Sequence, residues 1–365
     1  LNRNLFADKR SLEKTIFKDE SVLYPDYFPE KVPCRDKQTK ELTYLLDPIL
    51  RNKKPSNILV YGHPGTGKTM LSKYVVKQLT EYTSKAKSLY VNAMQDNTRF
   101  AVLSKLVSFF GDALPRRGLA IDELFDRMKE GFVKSDFWPV IILDEADKID
   151  MKDASQLLYD LSRSENNGRY FIIILITNHK SFILDLDERV QSSLFLNELE
   201  FPKYSSADIK EILLERIESG LVQNALSSDL LGFIAGYAAK RGGDARVAIN
   251  LLHRSAKEAE KEGSLKISKE ILLSSAKLVD SIKLSEKVNY LSRQEYDFLC
   301  GIDDGLTAGE LYTKLGVAER TCRDYICNLE KLELIRTEDT RIGRGKSRKI
   351  FLNFDKSVLY NQKKK

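Results

Sequence analysis

Residues 57–69 read NILVYGHPGTGKT, an apolar run that breaks into three glycines, a lysine and two threonines. Gly62, His63, Pro64, Gly65, Thr66, Gly67, Lys68 and Thr69 satisfy the pattern G-x-x-x-x-G-K-[ST]. Glycines let the main chain close around phosphate groups, and successive N–H groups at a helix start supply positive potential without side chains. Lys68 is then placed to neutralise the outer phosphates of ATP or ADP, and Thr69 to hold Mg2+, with Met70 continuing into the helix. The alternative is a glycine-rich turn with no ligand. Its place between a predicted strand and a predicted helix argues against that.

From 56 to 201 short apolar runs alternate with amphipathic stretches, the rhythm of strand and crossover helix. Strands are predicted over 57–61, 88–92, 140–143, 170–176 and 198–201. The near-continuous apolar character of the third and fourth predicts a parallel sheet covered on both faces. The third ends in Asp144-Glu145, and ligands in such sheets lie outside the carboxyl ends of the strands. Asp144 is therefore a candidate Mg2+ ligand beside Thr69, and Glu145 a candidate general base for an attacking water. Asn178, at the end of the next strand, is either a water-positioning residue or a simple turn residue.

The length of 365 residues predicts two or three domains. The longest apolar runs are strand-sized, far short of the roughly 20 residues of a membrane-spanning helix. The charged stretch 1–20 is unlike a signal peptide, so a cytoplasmic address without membrane partners is expected. Cys34, Cys300, Cys322 and Cys327 show no paired metal-ligand spacing. The formal net charge is +6. Residues 340–365 hold nine Lys or Arg against Asp355 alone, which concentrates the excess at one end and points to a localised anionic partner.

After Pro202 the pattern becomes wholly helical, over 205–221, 227–240, 244–261 and 268–291, with Ser or Asp at several starts. Three further helices are predicted at 293–300, 308–315 and 318–332, and two β-prone stretches then flank RIGRGKSRKI, residues 341–350. Three helices and a hairpin are the plan of a winged helix. The expected fold is thus an α/β P-loop domain with a five-stranded parallel sheet (1–203), an all-α lid (204–291) and a winged helix (292–365).

The order of phosphate loop, Asp-Glu, terminal Asn, the segment DERVQSSL (187–194) and GDAR (243–246) resembles the AAA+ ATPases. Tyr27-Phe28-Pro29-Glu30 with Arg35, Leu143-Asp144-Glu145-Ala146-Asp147 and Glu200-Phe201-Pro202-Lys203-Tyr204 narrow the resemblance to the archaeal and eukaryotic origin-recognition and cell-division-control initiator family. The likeness runs from about residue 10 to the wing. It implies that Asn178 is the first sensor, that Arg246 is the second and reaches the γ-phosphate from the lid, and that Arg189 matches an arginine finger. Bacterial initiators carry a second arginine where this chain has Ser193, and a buried salt-bridge role is the other reading of Arg189. Tyr27, Phe28, Val32 and Arg35 would line the adenine pocket. An insertion containing Arg116 and Arg117 lies where the family contacts DNA, although an ordinary crossover loop would look the same.

In the C-terminal domain Arg320, Thr321 and Arg323 are the polar residues expected to face DNA. Arg341, Arg344, Lys346, Arg348 and Lys349 gather in the hairpin to meet phosphates or a minor groove. If all five meet phosphates, the log–log salt slope of binding is about −4.5, whereas a merely hydrated loop gives almost none. The resemblance implies an ATP-controlled initiator that binds double-stranded origin DNA and helps load the replicative helicase, beside a paralogous initiator, with slow ATP hydrolysis. Two rivals share part of the pattern. One is another AAA+ DNA machine, such as a branch-migration motor; the other is a signalling ATPase whose winged helix contacts protein.

Overall fold

The computed structural model describes residues 15–112, 119–288, 290–332, 334–342, 345–354, 356 and 359; the side chains of 281–286 and 340–347 are outside the description. The chain divides into two compact units, Leu1–Ile267 and Ser268–Lys365.

In the first unit the expected strands form β1 (Asn57–Gly62), β2 (Ala86–Asn92), β3 (Trp138–Asp144), β6 (Ile172–Thr177) and β7 (Leu196–Phe201), while β4 (Glu165–Asn166) and β5 (Arg169–Tyr170) make a separate small hairpin. The five long strands pair in parallel in the order β2-β3-β6-β1-β7. Tyr170, expected in the fourth strand, pairs instead with Glu165 across the hairpin. Strand alternation sends Ile141 and Leu143 of β3 into one core, with Val102, Leu106, Phe132 and Leu157 from flanking helices. It sends Val140 and Ile142 into a second core on the opposite face, with Leu42, Leu71 and Val75. Every residue of β3 is buried, which accounts for its unbroken apolar sequence.

The order puts β1 between β6 and β7, so the loop after β1 lies beside the carboxyl ends of β6 and of β3 next to it. The same unit holds three helices, Ser206–Gly220, Ser228–Lys240 and Ala245–Lys261, capped by Ser205, Ser227 and Asp244 as their sequences predict. The fourth expected lid helix, Lys269–Val288, belongs to the second unit.

The second unit also contains the helices Arg293–Gly301, Ala308–Leu315 and Glu319–Lys331 and an antiparallel sheet of β8 (Leu306–Thr307), β10 (Gly345–Leu352) and β9 (Ile335–Ile342). The two-residue β8 is too short to leave a periodic signal in sequence; it adds to the outer edge of β10 through Ile350 and Lys349. Phe298, Leu299, Leu311, Cys322, Ile326, Leu329, Ile335 and Ile350 form one core, so the unit is a winged helix. None of the described helices is long and apolar enough to cross a membrane.

Candidate functional site

Main-chain conformation shapes the phosphate loop. Gly62, Gly65 and Gly67 adopt φ of 148°, 71° and 86°. A Cβ would stand 2.3 Å from the Phe201 carbonyl oxygen at Gly62, 1.7 Å from Asp244 Oδ1 at Gly65 and 2.7 Å from the Tyr204 hydroxyl at Gly67. Glycine is required there by both conformation and space.

Lys68, the first residue of the helix Lys68–Tyr82, is buried. Its Nζ donates to the carbonyl oxygens of Gly62 and His63, each at 2.8 Å, and to Oδ1 of Asn178 at 2.9 Å. Burial first, and then the charge of Arg246, bring its pKa down to about 8 against the pull of Asp144, Glu145 and Asp147. The phosphate lysine, the residue at the end of β6 and the lid arginine are thereby brought to one place.

Thr69 Oγ1 donates to Asp144 Oδ2 at 2.8 Å, and the Tyr90 hydroxyl donates to the same oxygen at 2.9 Å. Burial and the Asp144 charge push the Tyr90 phenol up, which keeps it a donor. Lys73 Nζ lies 3.3 Å from the centroid of the Tyr90 ring. Glu145 turns into the left-handed region at φ 53°, and its N–H donates to Asp144 Oδ1 at 3.0 Å. That turn sets the two adjacent carboxyls in different surroundings, Asp144 buried and Glu145 half-buried. Hard oxygen donors at Thr69 and Asp144 beside a cradle that admits no Cβ fit a magnesium nucleotide.

The lid reaches this loop through the start of the helix Ala245–Lys261. Ala245 N–H donates to the Gly65 carbonyl at 3.2 Å. Asp244 accepts from Arg246 N–H at 2.9 Å and from Arg246 Nε and a terminal guanidinium nitrogen, each at 3.2 Å.

Arg35 is buried and directs its guanidinium at main chain: Nε to Thr66 O at 3.0 Å, and the terminal nitrogens to Cys34 O at 3.2 Å and Pro202 O at 2.7 Å. It also stacks over Tyr204, 3.8 Å from the ring centroid. These contacts brace the phosphate loop from behind. Phe28 faces Tyr74 of the following helix at 6.4 Å, and Val32 packs on the same core. Tyr27 lies under the Arg216 guanidinium at 4.3 Å, so one face of its ring is covered by the lid helix Ser206–Gly220.

Arg189 sits on the helix Glu188–Leu194, exposed, and among the described residues no carboxylate lies within ion-pair distance of its guanidinium. The salt-bridge reading has no partner there. Ser193, at the position of the missing second arginine, instead bonds Ser162 through the two hydroxyls at 2.9 Å.

In the winged helix Arg320 and Arg323 are exposed on Glu319–Lys331, and Thr321 is half-buried. Arg323 pairs with Glu319 one turn earlier. Across the hairpin Lys346 stands opposite Arg341, Arg348 opposite Asp339 and Lys349 opposite Glu338. Arg348 Nε lies 3.3 Å from Asp339 Oδ1. Arg348 thus has a carboxylate beside it, while Glu338 lies 3.6 Å from Arg336 Nε. Arg116, Arg117 and Arg344 lie outside the described residues, as do the side chains of Arg341 and Lys346.

Several participants carry no role that sequence alone assigns: Tyr90, Tyr204 and Asp244 at the nucleotide end, and Asp339 in the wing. Tyr204 and Asp244 stand inside family-like motifs, which is the available signal. Tyr90 and Asp339 become visible only through strand register.

Comparison with known proteins agrees with this geometry. An AAA domain model matches residues 51–183, and a Cdc6 AAA+ ATPase-type lid domain model matches residues 210–276. The ORC1-type DNA replication protein 1 of Sulfurisphaera tokodaii is 34% identical over 365 residues, 94% of this chain and 92% of its own. The chain belongs to the ORC1-type DNA replication proteins. The ORC1-type DNA replication protein 1 of Archaeoglobus fulgidus is 33% identical, over 94% of this chain and 90% of its own. Among solved structures, the Aeropyrum pernix ORC1 protein in complex with DNA aligns with a TM-score of 0.73 at 29% identity, covering 96% of this chain and 97% of that one. The expected architecture of AAA+ domain, lid and winged helix is that of this ORC1-type family.

Proposed function

We propose that the chain is an ATP-switched initiator of DNA replication that binds duplex origin DNA and assists loading of the replicative helicase. The carrying observation is the bond from Ala245 N–H to Gly65 O, with Asp244 and Arg246 beside it, because it joins the lid to the phosphate loop. Bound Mg2+ would supply charge neutralisation at the phosphate oxygens. Thr69 and Asp144 would hold the ion, and Lys68 would neutralise the outer phosphates. Glu145 is the candidate base that polarises water, and Asn178 orients the same region through Lys68. Arg246 would exchange onto the terminal phosphate and carry nucleotide state into the lid.

Hydrolysis is expected to be slow, since a switch is useful only if its state persists. Exposed Arg189 is free to enter a neighbouring copy's site or that of a paralogous initiator on adjacent DNA. Arg320, Thr321 and the wing cations would meet DNA, and Arg116 and Arg117 would add contacts from the AAA+ domain. The three-part division at 203 and 291 and action at the nucleoid belong to the same proposal.

Equilibrium binding of the full chain to duplex DNA across 50–200 mM salt, with ATP and with ADP, tests this reading. A steep salt slope and an affinity that differs between nucleotides are expected. Salt-independent binding, or identical affinity with both nucleotides and with none, contradicts it.

A further inference from the structure

The Asp244 carboxylate lies directly against the phosphate loop, where its negative charge opposes an incoming phosphate. Its Oδ1 occupies the space a Cβ on Gly65 would need, at 1.7 Å. It is also the main counter-ion of Arg246: Oδ1 takes Nε and Oδ2 takes a terminal nitrogen, each at 3.2 Å, in a two-pronged pair. The two side chains differ in access. Arg246 is 63% exposed and Asp244 17%, so the guanidinium can swing away while the carboxylate, pinned as the helix cap by Arg246 N–H at 2.9 Å, stays. Arg246 is also close enough to Lys68 for its charge to lower that lysine's pKa, which places it at the mouth of the phosphate site.

We propose that Asp244 competes with the terminal phosphate of ATP for Arg246, and so holds back ATP capture relative to ADP. The inference rests on the reading that Arg246 meets the γ-phosphate. Binding ATP then requires the Asp244–Arg246 pair to open, whereas binding ADP leaves it closed. A ligand shifts such an equilibrium only by the difference in its contacts with the two arrangements. The carboxylate is thus a threshold set into the switch: only a phosphate that attracts the guanidinium more strongly releases the lid arginine.

The test is the affinity of the full chain for Mg·ATP and Mg·ADP, measured by competition against a fluorescent nucleotide, in wild type, Asp244→Asn, Arg246→Ala and the double variant. Asparagine caps a helix as well as aspartate, so the fold is kept while the charge is removed. Asp244→Ser is a second capping variant should the first misfold. Opening an exposed ion pair predicts that Asp244→Asn strengthens ATP relative to ADP by about two- to fivefold. The gain should vanish in the Arg246→Ala background. A carboxylate that merely orients Arg246 would weaken ATP binding on removal. If Arg246→Ala weakens ATP binding while Asp244→Asn leaves the ATP-to-ADP ratio unchanged or lowers it, the competition is overturned and the sensor role of Arg246 stands. A gain that persists without Arg246 overturns the competition as well. If Arg246→Ala leaves ATP affinity unchanged, both fall.

Discussion

Lys68 donates from Nζ to Oδ1 of Asn178 at 2.9 Å, tying the helix after the phosphate loop to the end of β6. With its bonds to Gly62 O and His63 O, the ammonium is fixed against the phosphate loop. Lys68→Ala removes the buried ammonium of the loop. Nucleotide affinity should fall by about 100-fold, the scale of a lost charge-assisted hydrogen bond, while circular dichroism stays native. Unchanged affinity in nucleotide titration would refute the site.

Lys68 also predicts a pH dependence. Its pKa, brought down by burial and by Arg246, is about 8, below the ordinary lysine value of about 10.4. For a base depressed in the folded chain, the unfolded chain binds more protons between those two values, so Lys68's adverse contribution to stability eases as pH rises from 8 towards 10. Phosphate favours the charged form and acts in the opposite sense. Nucleotide affinity should therefore decline above pH about 8, and Lys68→Arg should flatten that profile because arginine stays protonated. A wild-type profile that is flat from pH 7 to 9.5 would remove this account of the lysine.

Arg35 is predicted to act through the loop rather than on the ligand. Its three main-chain acceptors, in residues 34, 66 and 202, lose their donor together in Arg35→Ala. Urea denaturation should show a loss of about 3 kcal/mol, taking the cost of buried unsatisfied groups. Arg35→Lys cannot reproduce the three-way geometry and should recover only part of it. A variant of wild-type stability with weakened adenine-nucleotide binding would instead place Arg35 in direct contact with the base.

In the wing, Asp339 opposes Arg348, and both are exposed. Asp339→Asn should release one cation for phosphate and steepen the salt slope of DNA binding by up to about 0.9. Arg348→Ala should cancel that gain in the Asp339→Asn background, and Arg344→Ala with Arg348→Ala should flatten the slope below that of the wild type. Equal slopes in all of these proteins would mean that the hairpin does not meet the DNA backbone.

Those residues also mark how far sequence reaches. The strands are legible because β3 and β6 are apolar over nearly their whole length, and the phosphate loop because its glycines obey a spacing. Lid helices announce themselves through Ser205, Ser227 and Asp244 at their starts. Partners distant in sequence are not legible: Asp244 against Gly65, Tyr90 on Asp144, and Tyr204 between Arg35 and Gly67 depend on how elements meet. Counting charge along 340–365 misses Glu338 and Asp339, which lie just outside that window and face the wing's cations through antiparallel register. Arg35 is recognisable in sequence as part of the site, but its direction, into main chain, follows only from the packing of Tyr204.

The central claim is that nucleotide bound at Lys68 governs recognition of particular DNA sites. Mapping the full chain across its own genome, in wild type and in Lys68→Ala at matched protein level, tests it most directly. The account predicts a few discrete sites in the wild type, at positions where replication starts, with occupancy altered in Lys68→Ala. Diffuse occupancy without discrete sites, or an identical map in the two proteins, would contradict it.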